Sequence, residues 1–139
     1  EELKTRLEAI TAHYEAMEFR KAAAETRALW AAGNEYLTKA EPWVKYKSDV
    51  DAAAVGVRAG LNLAAIFGIV AQPIIPEAAA MILDALGIPE HNRNWPDAGD
   101  EGLLNALPIG MAITPPDVLF RKIEDDQVAD WTEKFGGES

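Results

Sequence analysis

"AGLNLAAIFGIVA", residues 59–71, is the stretch on which the fold turns. It is apolar on nearly every side. A helix of that kind belongs in a core or in a bilayer, because no face of it is suited to water. Extended back to residue 50, it reads as one helix over about 50–71. Asp49 and Asp51 bracket its start, where carboxylates suit the positive end of a helix. A membrane span wants about 20 clean apolar residues. Here Arg58 sits near the start, Asn62 interrupts the run and Pro73 ends it, so the expected place is the centre of a helical bundle. Gly56, Gly60, Ala64 and Gly68 recur every fourth residue, a stripe that lets a neighbouring helix come close.

The flanking segments supply the helices to surround it. Leu3, Leu7, Ile10, Tyr14 and Met17 step by three or four, which predicts one apolar helical face over 1–17. After the break "MEFR", an alanine-rich helix is expected from about 19 to 39. Its stripe is Phe19, Ala22, Thr26, Leu29, Gly33 and Tyr36, with Trp30 and Leu37 beside it. The chain then turns at "KAEPW". Pro42 is unsuited to a helix interior but suits a first turn, so Trp43 is expected at the start of a short helical turn.

Beyond the central helix, "QPIIP" is a rigid break. Ile75, Ala78, Ala79, Ile82, Ala85 and Leu86 mark a further helix, with Gly87 as its C-terminal cap. Residues 88–107 read as loop, with Trp95 in a lid over the bundle. "LPIGMAIT", residues 107–114, has the makings of an extended segment, and Pro115 and Pro116 stiffen the approach to "DVLFRKI" (117–123). A last helix is expected from Glu124. It has acids in its first turn, an apolar face of Val128, Trp131 and Phe135, and a stop at Gly136 and Gly137. The expected architecture is all-α: an antiparallel helical bundle in one domain over residues 1–139.

Composition narrows the functions. Hydrophobic residues make up 49% of the 139 residues, enough for a core. There is no cysteine, and His13 and His91 lack partners at metal-ligand spacing, so no metal site is expected. "EELKTRLEAI" has no apolar signal core, which makes a cytoplasmic location the simplest expectation. The net charge of −10 is uneven. Residues 1–48 hold eight Lys/Arg and eight Asp/Glu, whereas residues 49–139 hold five and fifteen. Such acidity disfavours indiscriminate nucleic-acid binding, DNA included, but leaves room for a local contact made by the neutral part.

No catalytic residue is legible. There is no GxSxG, no glycine-rich phosphate loop and no CxxC. "GVRAGLN" (56–62) follows no strand, so it is not a dinucleotide fingerprint, and "EDDQ" (124–127) reads as a solvated helix start. The Pro42–Trp43 corner stands out instead. An indole offers a face for a nucleobase, worth about 1–3 kcal/mol per base by alanine substitution. Lys39, Lys45 and Lys47 surround it and could meet phosphates. The alternative is a tryptophan plugging the core at a helix corner, and Asn34 and Tyr36 likewise read as bend and core residues.

The order of features supplies a resemblance. "GNEYLTKAEPWVKYK" (33–47) is followed by the long apolar helix, "QPIIPEAAAMILDALGI" (72–88), the Trp95 loop and "GMAITPPDVLFRKIEDDQV" (110–128). The chain resembles, over essentially its whole length, the C-terminal helical domain of the methionyl-tRNA synthetases, which are class I aminoacyl-tRNA synthetases. Asn-x-Tyr followed by Pro-Trp is shared by several class I synthetases; "LFRKIED" (119–125) points to the methionine enzyme.

The resemblance implies an anticodon-binding bundle. In it Trp43 stacks on the first anticodon base, a cytosine in tRNA-Met; Pro42 shapes the corner, and Lys47 matches a lysine that follows the motif. The family's upstream helix, with its anticodon-reading asparagine and arginine, has no counterpart here. Neither do the catalytic Rossmann-type domain, the HIGH and KMSKS motifs or a zinc-bearing connective segment. The implied partners are the tRNA-Met anticodon loop and the catalytic domain of a parent enzyme that uses ATP and Mg2+; this segment itself needs no cofactor. The acidic C-terminal half is expected to face away from RNA or toward the rest of the enzyme. The competing reading is a stand-alone helical protein-interaction module without RNA binding. Exposure of Trp43 separates the two.

Overall fold

The computed structural model describes residues 1–137. Among the described residues six α-helices occur in order: α1 (Glu2–Glu15), α2 (Phe19–Ala40), α3 (Pro42–Lys45), α4 (Val50–Ala71), α5 (Pro76–Ala85) and α6 (Asp125–Phe135). Two 3-10 turns, Glu90–Asn92 and Leu103–Asn105, lie in the long connection between α5 and α6. No strand occurs among the described residues, so the molecule is all-α as the periodicity predicts. "LPIGMAIT" does not join a sheet. The Leu107 and Thr114 amides are used instead on Asn62 Oδ1 and on the Ala85 carbonyl, both at 3.0 Å.

Short connections fold successive helices back on one another. The α1–α2 corner closes because Met17 takes a left-handed backbone (φ 56°) and the Glu18 amide donates to the His13 carbonyl at 2.8 Å. Met17 therefore points out of the bundle, although its spacing placed it on the apolar face. The side chain of Glu18 accepts from Lys21 Nζ at 2.6 Å and lies 2.8 Å from His13 Nδ1. Leu7 and Ile10 of α1, Leu29 of α2, and Ile66 and Val70 of α4 make one core. Ala65, Leu86 and Leu107 make a second, on the other side of α4.

α4 is the hub, packed by α2, α3, α5 and the Leu103–Asn105 turn. Its small-residue stripe works as predicted, with one difference: it receives three neighbours. Gly56 faces Pro42 of α3, Gly60 faces Leu37 of α2, and Gly68 faces Leu83 of α5, where a Cβ would lie 2.8 Å from Leu83 Cδ2. By length and composition α4 is the one described helix that could cross a membrane. In the fold, Asn62 at its middle is 1% exposed, and both its side-chain nitrogen and its oxygen are hydrogen-bonded. Its Nδ2 donates to the Arg58 carbonyl at 2.9 Å while its Oδ1 accepts from Leu107. Only the N-terminal part of α4 departs from the buried expectation, with Val50, Val55 and Val57 exposed.

Two other expectations need correcting. Phe19 and Tyr36, at the ends of the α2 stripe, are exposed, and Asn34 is an exposed residue inside α2 rather than at a bend. α2 runs straight on to Ala40, and the chain turns only at Glu41. The terminal helix α6 forms where expected: the Glu124 amide donates to Gln127 Oε1 at 3.2 Å, and the Gln127 amide donates to Asp126 Oδ1 at 2.9 Å. It does not pack extensively on the bundle, and Val128, Trp131 and Phe135 stay exposed. The loop around Trp95 does close over α1: its Nε1 donates to Thr11 Oγ1 at 2.8 Å and its ring meets Tyr14 edge-on at 5.6 Å.

Candidate nucleic-acid interface

The corner between α2 and α4 is built from local rules. α2 ends because Glu41 adopts a left-handed conformation (φ 45°, ψ 51°), its amide still reaching back to the Leu37 carbonyl at 3.0 Å. A non-glycine residue held there costs about 1–3 kcal/mol of local strain, which the surrounding fold must offset. Pro42 then opens α3 at its first position, where no amide hydrogen is needed. Past the end of α3, Asp49 caps α4 by accepting from the Ala52 amide at 2.9 Å. The corner is thus fixed at both ends by hydrogen bonds to the backbone.

Pro42 is buried against Gly56, and the next residue points the other way. Trp43 is 58% exposed, as the stacking reading requires and the core-plug reading does not. Its ring stands at the rim of an open depression of about 840 Å³, lined on the α4 side by Val50, Val57 and Leu61 and opposite by Ile109 and Met111. Arg58 lies in the same wall, one guanidinium nitrogen 3.4 Å from the Asn105 carbonyl.

Of the three lysines that the sequence places nearby, two are available. Lys39 is paired with Glu35 at 2.6 Å. That hydrogen bond and the attraction behind it hold the Glu35 carboxyl below its ordinary range and raise Lys39 above its own. Lys45 and Lys47 are exposed and have no carboxylate within 4.0 Å among the described residues. The three site residues read from the sequence, Pro42, Trp43 and Lys47, therefore share one corner in three conditions: buried, open and unpaired.

One residue went unnoticed at the sequence level. Tyr46 is 68% exposed and lines the same depression as Trp43. The signal was there in "PWVKY": side chains three apart on a helical turn are neighbours. Among the described residues no group of three or more His, Asp or Glu side chains is arranged to hold a metal ion.

An open indole beside unpaired cations, carried on an all-α bundle, has the chemistry of a reader of unpaired bases: stacking on the ring, phosphates on the ammonium groups. Residues 1–139 match the family model described as the anticodon binding domain of methionyl tRNA ligase, and the chain belongs to that family. The methionine–tRNA ligase of Maricaulis maris is 74% identical over 137 residues, and that of Hyphomonas neptunium 72% over 141. The Caulobacter vibrioides enzyme is 47% identical over 136 residues. Each alignment covers 98% of this chain but 24% of the relative, so the chain spans about a quarter of the length of these ligases.

Proposed function

We propose that this chain reads the tRNA-Met anticodon for a methionine–tRNA ligase, serving as its C-terminal helical domain. In this reading Trp43 receives the first anticodon base, Pro42 sets the angle at which it does so, and Lys47 meets the RNA backbone. The remainder of the ligase activates methionine with ATP and Mg2+ in the cytoplasm and transfers it to the bound tRNA. The observation that carries the reading is the open indole of Trp43 on a corner whose preceding proline is buried. A stand-alone protein-interaction module accounts less well for that arrangement. The exposed apolar face of α6 fits a contact with the catalytic part of the same enzyme.

Replacing Trp43 by alanine in the ligase tests this. Loss of one stacked base weakens binding by about 1–3 kcal/mol, or roughly 5- to 150-fold. Charging of tRNA should fall accordingly, while ATP-dependent activation of methionine continues at the wild-type rate. Equal charging by variant and wild type would overturn the assignment.

A further inference from the structure

We infer that Tyr46 is a second stacking face, taking the nucleotide next to the one that Trp43 receives; this rests on the anticodon reading proposed above. Trp43 and Tyr46 lie one helical turn apart, and side chains at that spacing start about 5–6 Å from each other. Both rings are more than half exposed, and both rim the same depression. Scattered apolar residues on a surface need no explanation, but two aromatic rings on one turn, continuous with Val50, Val57 and Ile109, form a patch.

The Tyr46 hydroxyl makes no hydrogen bond among the described residues, in contrast to its backbone amide, which closes the turn onto the Pro42 carbonyl at 2.9 Å. The backbone that carries the ring is therefore fixed, while the ring itself is exposed. Lys45 and Lys47 flank it in sequence, exposed and without a carboxylate partner among the described residues, so cationic groups lie near the aromatic one. Alternation of stacking faces and cations suits a single strand, in which flat bases and charged phosphates alternate in the same way. Every base has a π-face, so Tyr46 adds affinity without choosing a base.

The test is a fluorescence titration of the ligase carrying this chain with a labelled tRNA-Met anticodon stem–loop. Tyr46→Ala should raise Kd about tenfold and Tyr46→Phe by less than about twofold, because the ring and not the hydroxyl does the stacking. With an abasic site beside the first anticodon position, wild type and Tyr46→Ala should bind alike. Thermal melting of Tyr46→Ala should match wild type, since the ring is exposed. An unchanged Kd for Tyr46→Ala alongside a weakened Trp43→Ala overturns this inference and leaves the anticodon reading standing. So does a loss of binding that persists undiminished on the abasic loop, which marks a structural role. A wild-type protein indifferent to the anticodon overturns both.

Discussion

Pro42 lies against Gly56: a Cβ built on that glycine would sit 3.3 Å from the proline Cβ, tighter than ordinary contact. The glycine on the central helix is therefore what lets the corner carrying Trp43 seat on α4. Gly56→Leu has no room for its side chain and should lift α3 away. The expected result is a Kd for the anticodon stem–loop raised about tenfold, comparable to losing the indole, although Trp43 itself is intact. Gly56→Ala should be far milder. Its methyl group is crowded, but alanine gains about 1 kcal/mol of helix propensity over glycine. Titrations of both variants, paired with melting curves, check the ordering.

Asn62 ties the loop wall of the depression to the centre of α4 through the Leu107 amide. Asn62→Leu leaves that buried N–H without an acceptor, a cost of about 1–3 kcal/mol. Urea denaturation should show a loss of that order. The strand of loop from Leu107 to Met111, which faces Trp43 across the depression, should become more accessible to amide exchange. A variant as stable as wild type would mean that the loop finds another anchor.

Lys45 and Lys47 are free to neutralise phosphates, and their contribution should be visible in salt. For single strands, the slope of log K against log salt falls by about 0.7 for each phosphate contact removed. Lys45→Ala and Lys47→Ala should each flatten the slope by that amount if each makes one contact. Lys39→Ala should change it less, because Lys39 is already paired with Glu35. Equal slopes for all three variants would count against a backbone-tracking role.

The α1–α2 corner supplies a pH-dependent element of stability. Glu18 is held below the ordinary carboxylate value by its hydrogen bonds from Lys21 and then from His13. A depressed folded-state pKa means stability that is present above the unfolded value of 4.5 and is lost as pH falls through the lower, folded one. Glu18→Gln should therefore lose less stability than wild type on acidification from about pH 5 to about pH 2. Melting temperatures of the two proteins across that window provide the check. Parallel curves would show that the corner is held by its backbone hydrogen bonds alone.

The helices themselves were legible because periodicity and caps are local. α4 spans the residues that its apolar run and Asp49 mark out, α5 ends at Ala85 with Leu86 as its cap and the expected glycine, Gly87, just beyond in a left-handed conformation, and α6 begins at its acids. Errors gathered where a local pattern meets a tertiary boundary. Met17 falls past the end of α1, in the turn, and Tyr36 lies to the side of the Gly33, Leu37 and Ala40 face that packs on α4, so both emerge into solvent. α6 carries a proper amphipathic face, yet periodicity cannot say what, if anything, that face rests on.

Sequence alone determined that the chain is a set of amphipathic helices around one apolar helix, with a proline–tryptophan corner in a charge-balanced region. These features come from side-chain spacing and from the fixed φ of proline, which act over a single turn. Tertiary structure decided which side of the corner is buried, which lysines remain unpaired, and that Tyr46 shares an open face with Trp43. Those outcomes depend on Gly56 admitting Pro42 and on Asn62 gripping a loop 45 residues away, contacts between distant parts of the chain that no local pattern encodes.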